Sequence, residues 1–246
     1  MEAGTMIKEG KRWSGSDWAD QQRDMIIVGN GGIGGWLSFC LSRIDHRLFL
    51  VDGDVVDATN VEGGQMFRHK DVGSPKVDAV TNICRDFGCR SPITPLYSLY
   101  SESSGALPIM LGAVDNMDAR KLIFQEWKKS IDAYDNADGH LLIDGRLNLE
   151  DYEILCVQGN KPEQMEEYER KFLFDDGDVA DAACTEKQTT FTAMGIASFM
   201  TAMLCNWLTN KKLGFQAREV PFHTRVYYPG MIVSINEAKT LKEELV

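Results

Sequence analysis

The stretch MIIVGNGGIG, residues 25–34, decides the fold, because four apolar residues run directly into three spaced glycines. The run 25–28 is too short and too rich in β-branched residues for a helix, so it predicts a buried strand. Gly29, Gly31 and Gly34 then form the pattern G-x-G-x-x-G, and apolar residues follow at helical spacing. A strand that leads through a glycine turn into a helix is typical of a phosphate site, since glycines let phosphates approach the backbone and the helix N-terminus offers free N–H groups.

A second predicted strand, Arg47–Val51, leads into Asp52, about 20 residues beyond the glycines. In dinucleotide-binding folds a carboxylate at this distance meets the ribose hydroxyls. Turn formation is the alternative for Asp52 and for Asp54, because aspartate is common in turns. The strand context favours the first interpretation and predicts that the chain binds a nucleotide.

Strands and helices continue to alternate through the first half of the chain. Predicted helices lie at residues 76–87 and 118–129, and predicted strands at residues 93–96, 108–114 and 141–143. This β-α-β-α-β order implies the α/β class: a Rossmann-like, doubly wound, mostly parallel sheet with helices on both faces. Ligands bind such sheets at the carboxyl ends of the strands, where the glycine turn, Asp52 and Asp115 would meet.

The second half of the chain has a different order. Predicted strands lie at residues 152–157, 220–228 and 231–235, and a long helix lies at residues 188–208. We expect these strands to extend the sheet as added C-terminal antiparallel strands. The chain therefore divides into an N-terminal arm, residues 1–24, and a single domain, residues 25–246, in which about residues 160–187 form a polar crossover loop.

Charge and composition exclude some classes of function. The formal net charge is −11, whereas a nucleic-acid partner requires a basic face, so we expect no nucleic-acid binding. Residues 1–24 contain no apolar segment typical of a signal peptide, and the apolar run 194–208 is too short to span a bilayer. We therefore expect a cytoplasmic protein without a membrane partner. The six cysteines form no C-x-x-C pair, which disfavours a structural zinc site.

Further motifs follow the glycine turn in a fixed order. They are Val51-Asp52-Gly53-Asp54, Asn60 with Gln65, the segment DVGSPK that ends at Lys76, and Asp115-Asn116 followed by Arg120. In this order and spacing they resemble the ubiquitin-activating-enzyme superfamily in its compact bacterial form, the ThiF/MoeB/HesA-type adenylyltransferases. The resemblance runs from about residue 25 to residue 120 and continues more loosely to the end of the chain.

The resemblance implies an enzyme that uses ATP and Mg²⁺ to adenylate the C-terminal carboxylate of a small ubiquitin-like protein or peptide. It also implies a homodimer, and it makes residues 25–246 an adenylating domain. Such a reaction depends on positioning and electrostatics more than on covalent chemistry of the protein. By the same resemblance, Gly29, Gly31 and Gly34 bind the phosphates and Asp52 binds the ribose. Lys76 offsets the phosphate charge, and Asp115 holds the magnesium. Other parts of the nucleotide are contacted by Asp54, Asn60, Gln65 and Asn116.

Ordinary structural roles are the alternatives for two of these assignments. Lys76 starts a predicted helix, where a solvated lysine is common. Asp115-Asn116 precedes another predicted helix, and Asp and Asn are favoured as helix N-caps.

One position departs from the family pattern. The family loop reads Asn-Leu-x-Arg-Gln, with the arginine at the phosphates, whereas residues 60–65 read NVEGGQ, without the arginine and with one residue inserted. Arg68 or Arg120 could supply the missing charge. If neither does, the site is slow or inactive.

Cys184, followed by Thr185, precedes the long helix, where family members that form a thioester carry their cysteine. The resemblance makes Cys184 the candidate catalytic nucleophile, and a helix N-terminus and Lys187 would favour its thiolate. A loop cysteine without a role is the alternative. Cys156 and Cys205 are expected in the core.

Three functions therefore remain open. The leading one is an ATP-dependent adenylyltransferase. An NAD-dependent Rossmann oxidoreductase would share the glycine turn and Asp52, but it would give no role to Lys76 or Asp115. A non-catalytic partner subunit of an activating enzyme is the third, and the missing loop arginine supports it.

Overall fold

The computed structural model describes residues 15–19, 21–174 and 188–238. Within these residues the strands are β1 (Asp24–Val28), β2 (Arg47–Asp52), β3 (Ile93–Tyr97), β4 (Ile109–Gly112), β5 (Leu141–Asn148), β6 (Asp151–Gln158), β7 (His223–Tyr227) and β8 (Ile232–Asn236). The α-helices of the same residues are α1 (Gly32–Ser42), α2 (Ala58–Glu62), α3 (Lys76–Asp86), α4 (Met117–Tyr134), α5 (Pro162–Glu167) and α6 (Thr190–Leu213). The strands form one sheet in the order β3-β2-β1-β4-β5-β6-β7-β8.

The first strand lies at the centre of the parallel half. β1 to β5 run parallel, and Val28 of β1 lies opposite Val51 of β2 and Gly112 of β4. β6, β7 and β8 run antiparallel to their neighbours. This architecture confirms the predicted fold class. Because strand order reverses at β1, the crevice at its carboxyl end is the topological switch point, where such sheets bind ligands.

Helices cover both faces of the sheet. α1, α3 and α6 pack on one face, where Leu37, Val80 and Leu204 share an apolar core. α4 packs on the opposite face through Phe124 and Trp127. The inner strands β1, β4 and β5 are thus covered on both sides, which explains why they begin or appear in the sequence as continuous apolar runs, whereas the edge strand β3 is largely exposed.

Part of the segment that we expected to be a crossover loop is helical. α5 has Pro162 at its first position, which suits the fixed backbone angle of proline, and a π-helical turn, Tyr168–Phe172, continues it. The buried ring of Tyr168 packs against Phe124, with ring centroids 5.1 Å apart. This aromatic contact anchors a segment whose composition is otherwise polar. Residues 175–187 lie outside the described residues.

α6 is longer than the apolar run in the sequence. The side chain of Thr189 caps its first turn by accepting the N–H of Thr192, and Gly214, with φ of 76°, ends it in the left-handed conformation. Length and apolar composition alone would allow this helix to cross a membrane. Its inner face, which includes Met200 and Leu204, lies in the core against α1 and the sheet.

The described part of the N-terminal arm lies against α6. The Nε2 of Gln21 donates to the carbonyl of Leu208 at 2.9 Å, and Trp18 packs against the core of the same face. Asp24, the last residue of the expected arm, is the first residue of β1. These contacts tie the start of the sheet to the end of α6.

His46 is a buried group that links stability to pH. It is 1% exposed, and within the described chain neither ring nitrogen has a hydrogen-bond partner. Burial lowers the pKa of His46 from 6.5 to about 4, because the charged imidazolium would lose its hydration.

Acidification is therefore expected to destabilise the fold through His46. Between pH 6.5 and about pH 4 the unfolded chain takes up a proton at His46 that the folded chain does not. The contribution of neutral His46 to the free energy of unfolding is therefore complete above pH 6.5 and is lost as the pH falls through this range. From about pH 7.5 to about pH 5.5, we expect this group to lower the free energy of unfolding by about 1 kcal/mol. Urea titrations of the wild type and of His46→Gln at both pH values measure the difference. An identical pH dependence in the two proteins would contradict it.

Candidate nucleotide-binding site

The glycine turn joins β1 to α1 at the carboxyl edge of the sheet. Gly29 has φ of +84°, and a Cβ there would lie 2.5 Å from the carbonyl oxygen of Ala113. A Cβ on Gly34 would lie 1.8 Å from the carbonyl oxygen of Gly29. Gly31 is the N-cap of α1 and makes no side-chain capping bond. Because the first N–H groups of a helix have no partner within it, α1 presents donors and a positive dipole end at this edge.

Asp52 ends β2 beside the turn. Its Oδ2 accepts the N–H of Asn30 at 2.6 Å, and its Oδ1 accepts the N–H of Asp54 at 2.8 Å. Burial raises the pKa of the Asp52 carboxyl, while the two N–H bonds act in the opposite direction. Asp52 therefore ties the glycine turn to β2, and each oxygen keeps a second lone pair that can accept a ribose hydroxyl.

Lys76, at the start of α3, is not a solvated lysine, which was the alternative to a role at the phosphates. Its side chain is 11% exposed, and its Nζ donates to Oδ2 of Asp54 at 2.7 Å. Its backbone N–H donates to the carbonyl of Asp54 at 3.0 Å. Since Asp54 is bonded in turn to Asp52, this pair brings a nearly buried cation next to the site.

The loop after α2 supplies one amide to the turn. The Oε1 of Gln65 is buried without a hydrogen-bond partner in the described chain, and it lies 3.5 Å from the position that a Cβ would take on Gly31. A ligand would satisfy such a group. The Oδ1 of Asn60, by contrast, accepts the N–H of Asp57 at 2.9 Å in the capping box of α2. Asn60 therefore has a local structural role in addition to the expected contact with the nucleotide.

Asp115 and Asn116 follow β4, next to the turn. The N–H of Ala113 donates to the carbonyl of Val28 at 2.8 Å, which holds this segment beside the glycines. Asn116 caps α4 by accepting the N–H of Ala119 at 2.8 Å, which is the helix N-cap role considered for it in the sequence analysis. Asp115 is exposed, so its carboxylate is accessible to a bound ligand or metal.

Both arginines that we expected to replace the loop arginine are engaged elsewhere. Arg120 is buried and forms an ion pair with Asp144. Arg68 donates to Asp71 at 2.8 Å and to Asp86 at 2.5 Å. The structure therefore supports neither arginine as the substitute.

A contact between the start of α6 and the glycine turn was missed by sequence reasoning. A Cβ on Gly32 would lie 1.7 Å from the Oε1 of Gln188, so this amide lies directly against the first turn of α1. The Oγ1 of Thr190 donates to the carbonyl of Gly64 at 3.2 Å. No local pattern links positions so far apart in the chain.

A cleft of about 290 Å³ opens beside Asp52 at the carboxyl ends of β2 and β3. Leu96 and Leu99 line it with exposed apolar side chains, and hydroxyls come from serines 101, 103 and 104. An apolar surface with a few polar groups suits a nucleotide base. Sequence reasoning missed this cleft because its lining comes from an irregular segment after β3.

Cys184 lies outside the described residues, so its role stays a prediction. Burial raises the pKa of Cys156 to about 12 and that of Cys205 to about 11. Such thiols form little thiolate at neutral pH and are poor nucleophiles. Cys156 lies in the core as expected, and Cys205 is partly buried on α6.

Among the described residues, no group of three or more His, Cys, Asp or Glu side chains is arranged to hold a metal ion. A magnesium ion that arrives with a nucleotide needs no such group, because phosphate oxygens and water supply most of its ligands. The exposed carboxylate of Asp115 fits that kind of shared ion.

Together, the sheet order and the glycine turn define a Rossmann-like α/β protein with its ligand crevice at the end of β1. The family model described as "ThiF family" matches residues 19–226, so the chain belongs to the ThiF family. This membership confirms the resemblance that the motifs indicated. No curated protein matches it.

Solved structures of similar fold include PaaA and MccB. PaaA has 18% identity and a TM-score of 0.65, and the match covers 90% of this chain and 74% of PaaA. Escherichia coli MccB with ATP has 14% identity and a TM-score of 0.65, over 92% of this chain and 66% of MccB. MccB with AMPCPP and the peptide MccA has 15% identity and a TM-score of 0.65, over the same shares of the two chains. At these identities the likeness shows the fold.

Proposed function

We propose that this chain is an ATP-dependent adenylyltransferase that activates the C-terminal carboxylate of a peptide or small ubiquitin-like protein. The observation that carries the proposal is that the glycine turn, Asp52, Lys76 and Asp115 meet at one edge of the sheet. Membership of the ThiF family supports adenylyl transfer of the ubiquitin-activating type. The crystallisation of MccB with ATP, and with AMPCPP and MccA, supports a nucleotide and a peptide as ligands.

Each part of the nucleotide has a matching part of the site. The phosphates would lie at the N-terminus of α1, the ribose at Asp52, and the base in the cleft that Leu96 and Leu99 line. Mg²⁺, when bound, would offset phosphate charge, with Asp115 as its protein ligand.

The reaction itself is a displacement at the α-phosphorus. A carboxylate oxygen of the acceptor forms a bond to that phosphorus, the bond to the β-phosphate oxygen breaks, and pyrophosphate leaves with its electron pair. The protein holds the reactants in line, and Lys76 stabilises the negative charge that develops on the phosphates. Because Lys76 is paired with Asp54 and lies near the carboxylate of Asp52, its charge is already offset in part, so the proposal makes the reaction strictly dependent on a divalent cation.

A later thioester step would depend on Cys184. In this step the thiolate attacks the acyl carbon of the adenylate and AMP leaves. We expect Cys184→Ala to retain formation of the adenylate and to lose any acceptor conjugate that dithiothreitol releases, as read by mass spectrometry. An unchanged conjugate in the variant would assign the nucleophile elsewhere.

We also propose that the chain forms a homodimer. The terminal strand β8 carries exposed apolar side chains at Ile232, Val233 and Ile235, and Phe191 and Met194 of α6 are exposed as well. Exposed apolar surface at a free sheet edge is typical of protein interfaces. Sedimentation velocity tests this proposal, and a monomer at about 100 μM, far above ordinary homodimer dissociation constants, would refute it.

A non-catalytic partner subunit is the second candidate function, because both arginines that could replace the loop arginine are engaged in ion pairs. Calorimetric titration with ATP plus Mg²⁺ and, separately, with NAD tests nucleotide choice. We expect ATP to bind with Mg²⁺ and NAD to bind at least about tenfold more weakly, since Lys76 and a metal ion favour the more highly charged triphosphate. Equal or tighter binding of NAD would favour an oxidoreductase, and no binding of either would favour the partner subunit.

A further inference from the structure

Asn30 is a fully buried residue inside the glycine turn, between Gly29 and Gly31. Its Nδ2 donates to the carbonyl of Val51 at 3.2 Å, and its Oδ1 accepts the hydroxyl of Ser38 at 3.2 Å. Because a carbonyl oxygen only accepts and an amide nitrogen only donates, the bond to Val51 fixes which way the amide faces. The side chain therefore joins the turn both to the end of β2 and to α1.

The backbone N–H of the same residue holds the carboxylate of Asp52, to whose Oδ2 it donates at 2.6 Å. The neighbouring N–H of Gly29 donates to the carbonyl of Val51 at 2.9 Å. Glycine restrains the backbone least of all residues, and Asn30 has a glycine on each side. The two side-chain bonds of Asn30 are thus the restraint that keeps its N–H directed at Asp52.

We propose, on the basis of the proposed function, that Asn30 is a positioning residue for recognition of the ribose. Its side chain fixes the backbone of the turn, and the backbone N–H in turn fixes the carboxylate of Asp52 in one orientation. Hydrogen bonds weaken steeply when donor and acceptor are misaligned, so the contribution of the ribose hydroxyls depends on that orientation. The Asn30 side chain itself is fully buried, so it acts through Asp52 and not by touching the ligand.

Affinities for ATP and for dideoxy-ATP, which lacks both ribose hydroxyls, test this assignment. Calorimetric titration of the full chain with Mg²⁺ gives both values, and the two nucleotides share the same base and phosphates. We expect the wild type to bind ATP at least about tenfold more tightly, because hydrogen bonds to a charged group are the stronger ones. Asn30→Ala should reduce that preference at least about threefold, because the Asp52 carboxylate loses its fixed orientation.

Two further variants show whether the effect passes through Asp52. We expect Asp52→Ala to bind the two nucleotides equally, and adding Asn30→Ala to it should leave their ratio unchanged, because the two residues act as one unit. The matched control is Thr209→Ala, which removes a hydroxyl that is buried like Asn30 and donates to the carbonyl of Cys205 at 2.9 Å. Thr209 lies near the C-terminal end of α6, so this variant should lose stability and keep the wild-type preference.

Three outcomes would overturn the assignment while the proposed function stands. The first is a wild-type preference for ATP that Asn30→Ala retains in full. The second is a loss of preference in Thr209→Ala as large as in Asn30→Ala, because it would indicate general loosening of the fold. The third is equal binding of the two nucleotides by the wild type, because Asp52 then does not contact the ribose.

A milder variant decides the matter if Asn30→Ala does not fold. Ser38→Ala removes only the hydroxyl that donates to the amide of Asn30, and it should lower the preference for ATP in the same direction. An unchanged preference in Ser38→Ala would then overturn the assignment. A wild type that binds neither nucleotide would refute the proposed function, and the assignment would fail with it.

Discussion

Replacing Asp115 with asparagine is expected to lower the rate of adenylate formation at least about 100-fold while leaving the fold intact. The loss follows because a metal ion contributes several kcal/mol of charge stabilisation to phosphoryl chemistry, and asparagine is a poor magnesium ligand. The fold should survive because Asp115 is exposed and, within the described chain, its carboxylate accepts one long hydrogen bond, 3.4 Å from Asn116.

Metal dependence of ATP binding measures the same role without an acceptor. Titration of the wild type with ATP at increasing Mg²⁺ should show rising affinity, whereas Asp115→Asn should show little change. Asp118→Asn is the matched control, because Asp118 is also exposed and lies in the first turn of α4. Wild-type metal dependence in Asp115→Asn would remove Asp115 from the metal site.

Arg120→Ala is expected to have the largest effect on stability, lowering the free energy of unfolding by about 3–5 kcal/mol. Arg120 is 8% exposed and Asp144 is 2% exposed, and the two form a buried ion pair. Removing the arginine leaves a buried carboxylate without its counter-charge, although Arg146 and Tyr168 still bond to it. Marginal proteins have only about 5–15 kcal/mol of total stability, so the variant would be close to unfolding.

Arg68→Ala is the control for this prediction, because Arg68 was the other candidate for the phosphate site. Its side chain is 33% exposed, and the buried carboxylate of Asp71 keeps the backbone N–H of residue 68 as a donor, so the loss of its ion pairs should cost less, about 1–2 kcal/mol. Urea denaturation of both variants gives the comparison. If Arg120→Ala keeps wild-type stability but binds ATP more weakly, Arg120 serves the nucleotide and the structural assignment is wrong.

The parts that were predictable from sequence are those whose signals are local. The run 25–28 and its glycines predicted the first strand, the turn and the start of α1 because their backbone requirements lie within ten residues. The alternation of strands and helices predicted the parallel half of the sheet for the same reason. Asp52 and Asp115 were expected at one edge because carboxyl ends of parallel strands share that edge.

The parts that were not predictable depend on contacts between distant segments. The place of Gln188 against Gly32 follows from how α6 packs on α1, which no spacing in the sequence reveals. The ion pairs of Arg120 and Arg68 likewise come from tertiary contacts, so the sequence alone left both as candidates for the phosphates. The helical turn in the polar segment after residue 160 was not predicted, because a tertiary contact of one buried aromatic residue, Tyr168, anchors it.

The central claim is that the chain joins AMP to an acceptor carboxylate, and exchange of labelled pyrophosphate into ATP tests it most directly. The assay contains the full chain, Mg²⁺, ATP and candidate peptides or small ubiquitin-like proteins with a free C-terminus. The account predicts label in ATP with a free carboxylate and none when the same acceptor carries a C-terminal amide. Exchange that is equal with the amidated acceptor, or absent with every free carboxylate, would contradict it.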